Sequence, residues 1–120
     1  MTSAKKRVGV YLHDILDAIQ RIEAYAATGE EQFFASTLLQ DAVIRQLSII
    51  GEASAKLPKT LRATQEHIPW ADIVGMRNII IHDYSETDIP TVWHTVQTDL
   101  PMLQTAVESM LTDISRRNVA

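Results

Sequence analysis

"LLQDAVIRQLSIIGEASAKLP", residues Leu38 to Pro58, decides how this chain folds. Leu39, Val43, Gln46, Ile50, Ala53 and Leu57 recur four and three apart, which draws one stripe along a helix, polar only at Gln46. Pro58 stops it, because proline offers no backbone N–H to continue the ladder. Working back towards the start, Val8, Leu12, Ile15, Ile19, Ile22 and Ala26 repeat the same alternation, and Gly29 follows as a stop signal. Two helices of similar length across a short connection predict an antiparallel hairpin.

Towards the end of the chain, Pro58 to Pro69 mixes polarity with two prolines and predicts a connection holding one helical turn. Trp70 opens a third helix running to about Asp83, and "SETD" (Ser85 to Asp88) breaks it. Thr87 or Asp88 can cap the next helix, with Ile89 and Pro90 in its first turn. Pro101 predicts a kink or break near Thr98 to Leu100, after which Leu103, Val107, Met110, Leu111 and Ile114 complete the last helix. No alternating strand pattern and no internal repeat is present. The expectation is an all-α, up-down bundle of four to five helices, forming a single domain over residues 1–120.

A chain of 120 residues buries enough surface to fold without a metal or disulfide. It contains no cysteine, which excludes structural disulfides and thiolate chemistry. The start, "MTSAKKRVGVYLHDIL", has no apolar run ahead of a small-residue cleavage site, and no stretch approaches the ~20 apolar residues of a membrane span. A soluble, cytoplasmic protein with no membrane partner is expected. The formal charge of −4 argues against binding nucleic acid by broad phosphate neutralisation. Lys56, Lys59 and Arg62 nevertheless form a basic island between Glu52 and Glu66, either a solvated turn or a local RNA contact.

The second informative stretch is "GMRNIIIHDY", Gly75 to Tyr84. On a helix, Asn78 and His82 share one face and Arg77 and Tyr84 another, while Arg77 and His82 stand about 140° apart. Convergence of Arg77 with His82 requires local unwinding, or two copies of the helix pooling residues across a two-fold axis. Ile79, Ile80 and Ile81 cover more of the circumference than one core-facing stripe needs, which suits the second arrangement. Histidine moves protons near neutral pH, and arginine presents a planar, permanent charge to a phosphate. RNA brings its own nucleophile, the 2′-hydroxyl, so such a pair needs neither metal nor cofactor. The plainer alternatives are a histidine at a helix end, an arginine in an ordinary ion pair and an amphipathic tyrosine.

"RNIIIHDY" resembles the R-x4-H-x-Y signature of the HepT-like toxins, a branch of the HEPN superfamily of helical ribonucleases. "LLQDAVIRQLSIIGEASAKLP", "IPWADIVGMRNIIIHDY" and "VWHTVQTDLPML" resemble family segments in family order and together span most of the chain. The resemblance implies a HEPN-like bundle that forms a homodimer around the motif helix. It also implies a metal-independent endoribonuclease site in which Arg77 and His82 are the catalytic pair. Asn78 and Asp83 match accompanying polar positions, and Glu52 matches a polar position that supports the site. The family pairs with a minimal nucleotidyltransferase of the MNT type in a type VII-like toxin–antitoxin system. That antitoxin transfers AMP to the motif tyrosine, here Tyr84, and tRNA is the usual substrate class.

Two rival readings stay open on the residues. In one, the bundle is a non-enzymatic docking or substrate-binding subunit for a separate nucleotidyltransferase. In the other, His82 and Asp83 belong to a metal phosphohydrolase, although His13, His67 and His94 show no ligand spacing around them, and the pair His13 and Asp17 fits a solvated face.

Overall fold

The computed structural model describes residues 2–78 and 88–119, with side chains over 7–78 and 88–117. Six α-helices occur among them: α1 (Thr2–Ala26), α2 (Glu30–Ala35), α3 (Thr37–Ala55), α4 (Lys59–Arg62), α5 (Trp70–Gly75) and α6 (Ile89–Val119). No strand occurs among the described residues, and the all-α expectation holds. Three long helices, α1, α3 and α6, make the body of the bundle, and the three short ones serve as connections and braces.

The two stripes behave as their periodicity requires. Leu12, Ile15, Ile19 and Ile22 of α1 and Val43, Ile50, Ala53 and Leu57 at or just beyond α3 are all buried. Ile44 and Leu47 are buried as well, so α3 is covered on two sides and lies at the centre. Lys56, at the end of α3, holds its ammonium 5.4 Å from the centroid of the Tyr11 ring near the start of α1, which makes the hairpin antiparallel. Leu103, Val107 and Met110 of α6 close the core from the third side.

Two elements depart from the sequence reading. The connection after α1 is not simply short: Gly29, at φ 100°, turns the chain into α2. There Phe33 is buried and stacks 5.0 Å from Trp93 of α6. Ser36 then caps α3 by accepting from the Leu39 N–H. The second departure is Pro101, where α6 continues without the expected break. Pro101 and Gln97 are both exposed, so the Gln97 carbonyl that loses its helical donor can turn to water. Apolar residues on the opposite face, Leu100 and Leu103, keep the helix on the core.

The remaining boundaries follow the expected chemistry. Asp88 caps α6 by accepting from the Thr91 N–H and hydroxyl. The connection after Pro58 carries α4 and a 3₁₀ turn, Ala63–Gln65, and Trp70 pins it by donating its indole N–H to the Arg62 and Gln65 carbonyls. No helix among the described residues is long and apolar enough to cross a membrane.

Candidate active site

The motif segment does not extend as one α-helix. α5 ends at Gly75, and Met76–Asn78 tighten into a 3₁₀ turn, which corrects the expectation of a helix running from Trp70 to Asp83. The turn is tied to α3, where the Arg77 carbonyl accepts from the Ser48 hydroxyl at 3.3 Å. Ile79, Ile80, Ile81, His82, Asp83, Tyr84 and Thr87 lie outside the described residues.

What brings Arg77 to its place is α3. A Cβ on Gly51 would stand 2.5 Å from the Arg77 nitrogen and 3.0 Å from the carbonyl oxygens of Ile73 and Val74. Only hydrogen fits there. α5 and its 3₁₀ turn therefore cross α3 with backbone against backbone, and glycine at 51 is what allows the approach. One position along, Glu52 sets a carboxylate oxygen 3.8 Å from an Arg77 guanidinium nitrogen. Both side chains are about half exposed, at 42% for Arg77 and 55% for Glu52. A pair this open contributes at most about 1 kcal/mol, so its effect is to orient the guanidinium rather than to stabilise the fold. Arg77 thus has a fixed backbone and a planar charge held at the surface.

Of the other residues singled out from the sequence, Asn78 is exposed at the end of the turn. Lys56 lies one helical turn beyond Glu52 at the α3 terminus, engaged with Tyr11. Lys59 is exposed at the start of α4, while Arg62 is half-buried with its Nε shielded from solvent. The basic island is thus not one uniform patch. Sequence reasoning found Glu52 but missed Ser48 and Gly51. The available signal was the glycine itself, since a glycine inside a helix costs about 1 kcal/mol against alanine and points to a packing reason. Among the described residues no three His, Asp or Glu side chains come together as a metal-binding group.

The family model for "Ribonuclease HepT-like" proteins matches residues 15–110, which takes in α3, the Gly51 crossing, Arg77 and most of α6. The chain belongs to the HepT-like ribonuclease family. It is 40% identical over 103 residues to a "Probable ribonuclease HepT" of Thermococcus cleftensis, covering 83% of this chain and 92% of that one. A "Putative RNase" of Methanocaldococcus jannaschii is 34% identical over 115 residues, with 95% of each chain covered. A "Gamma-glutamylcyclotransferase and putative RNase" of the same organism is 39% identical over 113 residues. These amount to 93% of this chain, which spans about half, 51%, of that longer protein. No solved structure matches significantly. For this HepT-like chain, membership and relatives agree on a ribonuclease-type function.

Proposed function

We propose that this HepT-like protein is a metal-independent endoribonuclease toxin whose site pools Arg77 and His82 from two copies at a homodimer seam. Its substrate is tRNA, and an MNT-type nucleotidyltransferase antitoxin silences it by transferring AMP to Tyr84. The observation that supports this reading most is the mounting of Arg77. Its backbone is locked against α3 by Ser48 and Gly51, while its guanidinium stays half exposed beside Glu52. A rigid frame with an open planar charge is what stabilisation of a phosphorane-like transition state requires.

In the proposed reaction the RNA 2′-hydroxyl oxygen attacks the adjoining phosphorus. His82 takes the hydroxyl proton, and the 5′-oxygen leaves with a proton delivered by the partner's His82. The products are a 2′,3′-cyclic phosphate and a 5′-hydroxyl end. Arg77 receives the charge that grows on the non-bridging oxygens. Asn78 and Asp83 orient the imidazole, and Lys56, Lys59 and Arg62 offer secondary contacts to the strand. In the silencing step the Tyr84 phenolic oxygen attacks the α-phosphorus of ATP and pyrophosphate leaves. The new phosphodiester is an anion that competes with RNA for Arg77.

The test uses purified, dimer-checked wild-type and His82→Ala protein on total tRNA in EDTA. Wild type should cut and His82→Ala should not, with both equally folded. Cleavage by His82→Ala would sink the assignment, and activity that vanishes in EDTA and returns with a metal would favour a metal phosphohydrolase. Tyr84→Phe should cut while gaining no AMP from the antitoxin, as mass spectrometry reads directly. If wild type binds the nucleotidyltransferase but never cuts RNA, and carries no AMP, the docking-subunit reading wins.

A further inference from the structure

Of the concave features among the described residues, one borders the Arg77 segment. Between α3, α5 and α6 lies a cavity of about 220 Å³. Leu47, Met76 and Val92 supply its apolar lining, and Asp72, Thr91 and Thr95 its polar side chains. Small-molecule pockets usually run upward from about 300 Å³, so this one suits a single planar group. It borders the mount of Arg77 on two elements: Met76 precedes Arg77, and Leu47 precedes the Ser48 that holds the Arg77 carbonyl. Along α3, Leu47 and Glu52 are separated by about 7.5 Å of helix rise and about 140° of turn, so a nucleotide joining the cavity to Arg77 has to pass around the edge of α3.

The side-chain hydrogen-bonding pattern is one-sided. The Thr91 hydroxyl donates to the Asp88 carboxylate at 2.7 Å, and the Thr95 hydroxyl donates to the Thr91 carbonyl at 3.0 Å. Both hydroxyl hydrogens are thereby engaged, leaving lone pairs. The Asp72 carboxylate offers two acceptor oxygens. The polar side chains around the cavity therefore ask for donors from whatever enters it.

We propose that this cavity is a guanine subsite, seating the base of the nucleotide whose phosphate lies on Arg77. The choice of an RNA base as occupant rests on the ribonuclease reading; the choice among bases rests on the lining. Guanine alone presents two adjacent donors, N1–H and the N2 amino group, which match the two oxygens of the Asp72 carboxylate. Adenine and cytosine place one amino group beside an acceptor, and uracil flanks its single N–H with two carbonyls, so each sets an acceptor against an acceptor. Leu47, Met76 and Val92 cover the ring, and methionine adapts well to a flat partner. Reading single-stranded RNA through a base's Watson–Crick edge is a general recognition mode.

The chain offers a blocking variant. Gly75 borders the cavity, has no positive φ, and a Cβ there would meet nothing within 4 Å. Gly75→Leu should fill the mouth without a backbone clash, and Asp72→Asn replaces one of the two matched acceptors with a donor at an exposed position. Calorimetric titration of wild type, both variants and His82→Ala with the four nucleoside 3′-monophosphates decides the matter. Wild type and His82→Ala should prefer 3′-GMP by about tenfold, or ~1.4 kcal/mol, and both cavity variants should lose that preference. Equal affinity for all four nucleotides, no binding at all, or a guanine preference that survives in both variants would overturn the subsite. Asp72→Asn alone suffices if Gly75→Leu does not fold. An inactive wild type that still prefers 3′-GMP would sink the nuclease while leaving the subsite standing. Cleavage with no base preference would do the reverse.

Discussion

At the scale of single residues, Gly51 and Glu52 are neighbours with opposite profiles. Gly51→Ala places a methyl group against three backbone atoms that cannot move aside as a side chain would. It should destabilise by roughly 1–3 kcal/mol, measured by denaturant unfolding, and displace Arg77 at the same time. Glu52→Ala removes a half-exposed partner at 3.8 Å and should shift stability by less than about 1 kcal/mol. Its effect should appear in kcat instead, as a fall of up to about tenfold, because an unrestrained guanidinium samples unproductive positions. A large stability loss with unchanged kcat would reverse these roles. Arg77 stood out in the sequence because a charge two residues ahead of three isoleucines is conspicuous, and Glu52 because it resembles a family position. Gly51 was less legible, since a glycine in a helix discloses that something comes close but not what.

At the scale of elements, α1, α3, the turn α4 and the start of α5 at Trp70 were readable, whereas α2, the end of α5 and the continuity of α6 were not. α1, α3 and α6 carry enough turns for a stripe to rise above chance; the middle of each stripe is buried, and Val8, Ala26, Leu39, Leu111 and Ile114 at the ends are partly buried. α2 spans six residues, too few for periodicity, and its anchor is the contact of Phe33 with Trp93, sixty positions away. The 3₁₀ turn after α5 eluded sequence reading as well, because its packing on Gly51 and Ser48 of α3 is a tertiary contact that no local pattern announces. Pro101 shows the converse, a strong local signal overridden by packing on the buried face. This has a measurable consequence. Pro101→Ala restores a helical donor at an exposed site and should raise stability by roughly 1–3 kcal/mol, seen as a higher Tm. A fall in Tm would mean that the ring itself makes a needed contact.

At the scale of the molecule, the fold is drawn out, with extents of 50 × 27 × 24 Å. Its radius of gyration is 15.0 Å, against about 13.6 Å for a compact chain of this length. α6 accounts for the long axis, since 31 residues span about 46 Å of helix. If the dimer is part of the native state, Tm should rise with protein concentration, and a concentration-independent Tm would argue for a monomer. Net charge makes a further prediction. With −4 overall, RNA binding should depend on few cations, so Lys59→Glu should weaken binding and flatten the dependence of log affinity on log salt by about 0.7. An unchanged slope would remove Lys59 from the interface.

The bare backbone crossing at Gly51 also bears on how the protein fails. Hinged loops commonly let an enzyme lose function well before it melts, since the working parts detach from an intact body. Here the turn bearing Arg77 rests directly on α3, the helix buried on two sides, with no side chain between them to act as a cushion. Detaching that turn means opening the interior. Release of the Arg77 turn and melting should therefore coincide on heating, making the guanidinium as durable as the core beneath it.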